Sequence, residues 1–238
     1  MPQTLWTYAE VGHTQDAKKE LLEAVRFQDS DNVLNTVKPI RLIQRMLQLG
    51  TMPGESDIVV DFFAGSGSLG HAVLQQNAAD NGNRRAVLVQ FPEPLPTPES
   101  SLRTIADIAK ERFRSVGARI KLENPMFSGD TGFRVFKLAS SNIHEWDPNR
   151  GDLASSLEGA VEHLKTDRTE ADILYELLLK LGLDLCVPIE KRQIADKDVH
   201  AIGGGVLMAC LAESITRDDA EALALGIVDW HKTLAPAG

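Results

Sequence analysis

The chain has 238 residues, 43% of them hydrophobic and 25% charged, a globular composition that excludes disorder as the main state. No stretch approaches the roughly 18 consecutive apolar residues of a membrane-spanning helix, and the first residues combine neither a basic start nor a continuous apolar segment. A formal charge of -9 excludes a surface built wholly for polyanions, and two cysteines, Cys186 and Cys210, supply neither a disulfide framework nor a Cys-rich zinc site, so a reducing cytoplasm is the expected setting.

Apolar residues at helical spacing, Ala17, Leu21, Leu22 and Val25, predict a helix over 14–27 with Thr14 as its cap. A second helix is expected over 39–49, with Pro39 in its first position, a stripe of Ile40, Ile43, Met46 and Leu47, and Gly50 closing it in a left-handed conformation. The dense apolar run Ile58 to Phe63 reads as a strand buried on both faces. Glycines follow it directly, then a helical pattern through Leu69, Val73 and Leu74, then a second strand over Ala86 to Phe91. Strand, glycine turn, helix and strand make a βαβ unit with parallel strands.

After a proline-rich segment, a mixed-charge helix is expected over 101–116 and a strand over 134–138. Basic residues concentrate between Ser101 and Lys137, where eight face four acidic ones, which marks this stretch for phosphate contacts if nucleic acid is bound. From Leu138 to His200 the balance turns acidic, and beyond the WDPNRGD segment the composition changes, so a boundary is expected near residue 150, dividing 1–150 from a smaller α+β region over 151–238. In the second part a mostly polar helix is expected over 152–166. Thr169 with Asp172 and Thr216 with Asp219 have the spacing that caps helix starts, and Gly203-Gly204-Gly205 between two apolar runs signals a hairpin.

The segment richest in chemistry is Asp61-Phe62-Phe63-Ala64-Gly65-Ser66-Gly67. A strand that ends in G-x-G and enters a helix brings bare backbone near a ligand and aims helix amides at an anionic group. With Gly70 the pattern extends to G-x-G-x-x-G, which keeps a dinucleotide cofactor open at this point. The histidines show no metal-ligand spacing, so no metal site is expected, and His71 is expected at the surface or behind the site. Cys186 and Cys210 are expected as small buried hydrophobes.

Asp61 to Leu74 resembles the cofactor motif of S-adenosylmethionine-dependent DNA methyltransferases, F-x-G-x-G, here Phe63, Gly65 and Gly67. The segment with Lys38, Pro39, Leu42 and Ile43 resembles the K-P-x-x-L-I element of the adenine-N6 and cytosine-N4 enzymes. The blocks around GNRRAVLVQFPE, DTGFRVFKLASSNIHEW, RTEADILYELLLKLGLDL and the GGG hairpin extend the likeness, over nearly the whole chain, to the modification subunit of type III restriction-modification systems.

That resemblance implies a partial Rossmann-like methyltransferase sheet, S-adenosylmethionine as cofactor, and DNA, a second modification subunit and a restriction subunit as partners. Phe63, Gly65 and Gly67 would line the cofactor pocket, Asp61 would stand near the methionine amino group, and Lys38 and Pro39 would open the helix facing the methionine part. Gln90 aligns with the family's ribose-binding acid, and Glu93 stands three residues on; both are candidates. The family's D-P-P-Y or N-P-P-Y loop, which holds the flipped base, does not occur, and the nearest strings are Asn124-Pro125-Met126-Phe127 and Asp147-Pro148-Asn149. No catalytic residue is therefore assigned. The expectation is a cofactor-binding portion that by itself binds S-adenosylmethionine weakly or not at all and transfers no methyl group. The alternatives are a non-catalytic interaction module of the same system and a dinucleotide-dependent oxidoreductase.

Overall fold

The computed structural model describes residues 5–144 and 164–234, in two compact units, Met1–Phe133 and Arg134–Gly238. The expected boundary near residue 150, most of the expected helix 152–166, and Asp147 to Asn149 lie outside the described residues. Both units mix helices with small sheets. Among the described residues no helix is long and apolar enough to cross a membrane.

The first unit runs α1 (Tyr8–Val11), α2 (Thr14–Ala24), α3 (Ile40–Gly50), β1 (Ile58–Asp61), α4 (Ser68–Asp80), β2 (Arg85–Leu88) and α5 (Ile105–Glu123). β1 and β2 pair in parallel, Ile58 opposite Arg85 and Asp61 opposite Leu88, which is the βαβ unit read from the sequence. Val59 faces a cluster of Ile40, Leu47, Ala72 and Val73, so α3 and α4 cover one side of the sheet. A second cluster joins α2 to α5 through Ala17, Leu21, Val25, Ile108 and Val116; burying Leu21 or Ile108 contributes about 1.5–3 kcal/mol each. The proline-rich segment is pinned by buried Asn32, whose amide donates to the Thr97 carbonyl (2.6 Å) and Glu99 Oε1 (2.7 Å) and whose Oδ1 accepts from the Thr97 N–H (3.0 Å).

Several local expectations are corrected. The helix expected over 14–27 ends at Ala24, and its cap is His13, whose Nδ1 accepts from the Asp16 N–H. Pro39 is the cap of α3, and Gly50 is the last helical residue in ordinary helical geometry, because Thr51 turns the chain out in an extended conformation. The strands are shorter than read and are not buried on both faces: Ile58, Val60 and Val87 are exposed, since nothing among the described residues covers their side. Helix α5 starts later, on a Thr104–Asp107 capping box, and continues past Gly117. Gly117 is a close approach rather than a stop, because a Cβ there would lie 2.9 Å from the Thr131 carbonyl oxygen.

The second unit contains α6 (Glu170–Lys180), β3 (Ile189–Ile194), β4 (Lys197–Ile202), β5 (Leu207–Cys210) and α7 (Arg217–Leu234). The three strands form an antiparallel sheet in sequence order. Gly203, Gly204 and Gly205 all take positive φ between β4 and β5, where side-chain-bearing residues would be strained. Both capping pairs form: the Thr169 hydroxyl donates to Asp172 at 2.7 Å and the Thr216 hydroxyl to Asp219 at 2.7 Å. Leu174 and Leu178 of α6 pack on Ile202 and Ala209, while Leu223 and Trp230 of α7 pack on Val199 and Ala201. The expected strand over 134–138 does not form; the Arg134 guanidinium instead donates to the Tyr175 hydroxyl and to the carbonyls of Leu185 and Val187, holding that segment by its side chain. Cys186 is exposed rather than buried.

Gly117 separates two effects of opposite sign. Helix propensity favours alanine over glycine by about 1 kcal/mol, whereas forcing a methyl against backbone costs about 1–3 kcal/mol. Gly117→Ala is expected to lower the urea midpoint at unchanged slope; a raised midpoint would show that α5 and the Thr131 segment are not in contact.

Candidate functional site

The site is built where β1 ends. Asp61 closes the strand, and its Oδ1 accepts from the Phe63 N–H at 3.0 Å, which bends the chain out of the ladder. Parallel pairing continues one step beyond the strands, with Val89 N–H donating to the Asp61 carbonyl (2.8 Å) and Ala64 N–H to the Val89 carbonyl (3.1 Å). The Gly67 N–H then donates to the Ala64 carbonyl at 2.8 Å, making a tight turn that delivers the chain into α4. Gly65 and Gly67 both take positive φ, +53° and +76°, where glycine is the ordinary choice.

The two glycines open onto different surroundings. A Cβ on Gly65 would meet only the Phe63 carbonyl oxygen, at 3.9 Å, so that flank is open. A Cβ on Gly67 would lie 2.6 Å from Phe113 Cζ, and one on Gly70 would meet the same ring and Leu88. The missing side chains at Gly67 and Gly70 are thus replaced by the Phe113 ring of α5. Only Gly65 leaves room for a ligand on its side-chain flank. Phe63, at 92% exposed, stands out beside it.

Among the remaining sequence-derived candidates, Gln90 is joined directly to the turn: its Oε1 accepts from the Gly65 N–H at 2.7 Å, and its Nε2 donates to the Phe91 carbonyl at 2.9 Å. Both ends of the Gln90 amide are occupied by backbone. Glu93 is exposed, and its backbone bonds to Phe91 and Ile105 fold the turn after β2. Lys38 is exposed and Pro39 is buried at the head of α3. Ile40 in the first turn of α3 and Leu69 and Ala72 near the start of α4 share one apolar cluster, which brings these two helix beginnings together. Asn124 caps the end of α5 and accepts from the Phe127 N–H at 3.0 Å, so Asn124 to Phe127 is a turn.

Two residues not singled out from the sequence organise this corner. Arg112, on α5, is fully buried. Its Nε donates to His71 Nδ1 (3.0 Å), and its Nη1 reaches the Ser66 hydroxyl (3.2 Å), the Ser68 hydroxyl (3.1 Å) and the Ser66 carbonyl (3.4 Å). No carboxylate lies within ion-pairing distance among the described residues, and burial pulls the guanidinium down to about 10. The second is Glu20 of α2, whose Oε2 accepts from the Ile40 N–H at 3.0 Å and so caps α3, where Pro39 offers no side-chain acceptor. Burial raises the Glu20 carboxyl, against the opposing pull of its hydrogen bond from Ile40 and of the Arg112 charge. A lone arginine or glutamate on a mixed-charge helix carries no sequence signal, which is why both escape a reading by motif.

Of the two placements expected for His71, at the surface or behind the site, the structure shows the second: the side chain is buried behind the turn. Because Arg112 donates to Nδ1, the imidazole is the tautomer protonated at Nε2. Burial, and then the Arg112 charge, push its pKa down to about 3. His71 Nε2 and Arg112 Nη2 are buried without a hydrogen-bond partner among the described residues. A separate cleft of about 400 Å³, lined by Trp6, Glu10, Arg41, Gln44, Arg45 and Gln48, includes none of the candidates named above.

Residues 1–92, which contain α1 to β2, match the DNA methylase family. The chain is 33% identical to the type III restriction-modification enzyme StyLTI Mod subunit of Salmonella typhimurium over 134 residues, 55% of this chain and 20% of that protein. It is 26% identical to the EcoPI Mod subunit of Escherichia phage P1, covering 99% of this chain and 35% of the relative, and 26% identical to the EcoP15I Mod subunit of Escherichia coli, covering 92% and 32%. The chain thus spans between a fifth and about a third of the length of these relatives.

The buried imidazole makes a testable contribution to stability. An unfolded histidine binds its proton near 6.5 and the folded one only near 3, so between those values the unfolded state holds more protons and stability rises with pH. The His71 contribution is complete above about 6.5 and is lost as pH falls toward 3. His71→Gln, which can still accept from Arg112, is expected to flatten the fall in urea midpoint between pH 7 and pH 4.5; identical falls in both proteins would show that His71 is not buried and neutral.

Proposed function

We propose that this chain, whose residues 1–92 match the DNA methylase family, is the S-adenosylmethionine-binding part of an adenine-N6 DNA methyltransferase of a type III restriction-modification system. The observation that carries this reading is the turn at the end of β1: Gly65 presents an open flank beside the exposed Phe63, in a chain whose relatives are Mod subunits. β1, α4 and β2 are read as the first βαβ unit of a Rossmann-like sheet. DNA, a second modification subunit and a restriction subunit are the proposed partners, in the cytoplasm.

The residues present fit the cofactor. The flank of Gly65 that a Cβ would fill is the cradle, and the Phe63 ring is placed to cover an apolar or planar part of the ligand. Asp61 has one carboxylate oxygen engaged by Phe63 N–H, leaving the other to accept from an ammonium. Gln90 holds the turn through the Gly65 N–H rather than facing a ribose. Glu93 is the exposed carboxylate of the pair and is assigned the ribose hydroxyls, which it can accept as charge-assisted hydrogen bonds. Gly67 contributes by letting Phe113 brace the turn, and Lys38 and Pro39 by opening α3 beside it. When bound, S-adenosylmethionine supplies a methyl group on a sulfonium that leaves as a neutral thioether, so the protein's task is alignment rather than acid or base help. The group that would hold the target amine has no counterpart among the sequence motifs of this chain, which also supports the second reading, a non-catalytic module of the same system.

Calorimetric titration with S-adenosylmethionine, S-adenosylhomocysteine and NAD separates these readings from a dinucleotide enzyme. The account expects weak binding of the first two, no heat from NAD, at least about a tenfold loss (~1.4 kcal/mol) in Gly65→Val, and no methyl transfer to adenine-containing duplexes by the chain alone. Binding of NAD, or S-adenosylmethionine binding indifferent to Gly65→Val, contradicts the proposal.

A further inference from the structure

Helix α3 carries a second stripe beside the one that packs on the sheet. Ile40 and Leu47 point into the apolar cluster shared with α4, whereas Arg41, Gln44, Arg45 and Gln48 recur at i, i+3, i+4 and i+7 and form one polar face. Trp6, with Glu10 and Val11 of α1, completes the lining of the cleft of about 400 Å³ described above, a volume suited to a small-molecule group. None of its lining residues belongs to the turn after β1.

The polar groups of this cleft are unevenly committed. The Arg41 guanidinium is fixed, donating from Nη2 to Asp16 Oδ2 at 3.3 Å and from Nη1 to the Ala9 carbonyl at 3.4 Å. Gln48 Nε2 donates to Gln76 Oε1 at 3.3 Å, which leaves the Gln48 Oε1 to accept. The Arg45 guanidinium and the Gln44 amide are half-buried and have neither a hydrogen bond nor an ion pair among the described residues. Glu10 Oε2 accepts from the Thr7 N–H at 2.9 Å and the Thr7 hydroxyl at 3.0 Å; these bonds, with the Arg45 charge, hold its carboxyl below the usual carboxylate range, so it stays ionised.

Three features restrict what such a cleft holds. An unpaired guanidinium asks for an anion, and the Glu10 carboxylate disfavours one with two charges. Two glutamine amides offer donors and acceptors together, which a simple anion, an acceptor only, cannot use. The indole and Val11 offer a flat apolar wall on which a planar ring stacks. A phosphodiester with its attached base meets all three demands, since it brings one negative charge, mixed polar edges and a flat face. A base inside a duplex has its faces and edges already engaged.

We propose that the cleft between α1 and α3 binds one unpaired nucleotide of a DNA strand, its phosphodiester on Arg45, its base edge on Gln44 and Gln48, and its base face on Trp6. That the strand is DNA rests on the methyltransferase reading. This nucleotide site is distinct from the turn proposed for the cofactor, with which it shares no residue.

The test is fluorescence anisotropy with a short labelled oligodeoxynucleotide of mixed sequence. The single strand is expected to bind more tightly than its duplex and to resist displacement by inorganic phosphate or adenosine monophosphate at equal concentration. Arg45→Gln is expected to weaken binding at least about tenfold and to reduce the slope of log K against log salt by about 0.7, with the far-ultraviolet spectrum unchanged. Trp6→Leu weakens it similarly, and Trp6→Phe restores most of the affinity, because a phenyl ring still stacks. With 5-iododeoxyuridine in the strand, ultraviolet light is expected to crosslink it to the peptide containing Trp6. No binding, binding indifferent to Arg45→Gln or Trp6→Leu, a preference for the duplex or for the matching RNA, or displacement by the free anions each overturns the proposal. Titration with S-adenosylmethionine is read separately, and Arg45→Gln is expected to leave it unchanged. A strand held in the cleft of a chain that takes up no cofactor sinks the functional reading and leaves this site standing; cofactor uptake with a strand affinity blind to the cleft variants does the reverse.

Discussion

A guanidinium held inside the first unit without a contacting carboxylate among the described residues is the constraint on which the rest of the corner depends. Arg112 shares its protons among two serine hydroxyls, one carbonyl and a neutral imidazole. A buried cation is tolerated only with such partners in place, so Ser66, Ser68 and His71 are committed to one geometry. The contrast with Arg84 is direct: that buried arginine has the Asp80 carboxylate at 3.0 Å and ties the end of α4 to the Thr51 hydroxyl at the end of α3. Arg112 instead spends its charge beneath the turn after β1, where the amides of α4 begin. Glu20 lies within its field and caps α3 through Ile40. One network therefore relates the starts of two helices and the glycine turn.

The glycines show how such a turn divides its work. Gly67 and Gly70 allow the Phe113 ring to sit against the turn and the first turns of α4, while Gly65 faces open space. Rigidity and access are therefore supplied by neighbouring glycines, the same residue type serving opposite purposes two positions apart. Gln90 completes the arrangement by fastening the Gly65 N–H to the end of the second strand. A turn fixed on three sides and open on the fourth is suited to a ligand that must be held in one orientation.

Much of the local structure was legible in the chain because its causes are local. The Thr169–Asp172 and Thr216–Asp219 caps, the βαβ order and the Gly203–Gly205 hairpin each depend on residues a few positions apart. What was not legible depends on neighbours distant in sequence. The helix expected to end at Val116 runs on through Gly117, whose lack of a side chain is explained only when Thr131 is seen against it. The run from Arg134 to Leu138 has a strand's composition, yet no strand among the described residues pairs with it, and the Arg134 side chain fastens it to the Leu185 and Val187 carbonyls instead. Strand β3 is masked by its charged residues, which its edge position permits. In the site, the glycines, Asp61 and Phe63 were visible as a motif. Arg112, Glu20 and the burial of His71 were not, because a single charge says nothing of where its helix packs. The apolar run after residue 58 implied cover on both faces, and the described residues provide it on one.

The central claim is that the open flank of Gly65 is where S-adenosylmethionine lies. Photo-crosslinking with cofactor tritiated in its methyl group, followed by proteolysis and peptide sequencing, tests it most directly. The account predicts label in the peptide containing Phe62 to Gly67, suppressed by S-adenosylhomocysteine. Label confined to the cleft lined by Trp6, Arg41 and Gln48, or label that S-adenosylhomocysteine does not displace, would contradict it.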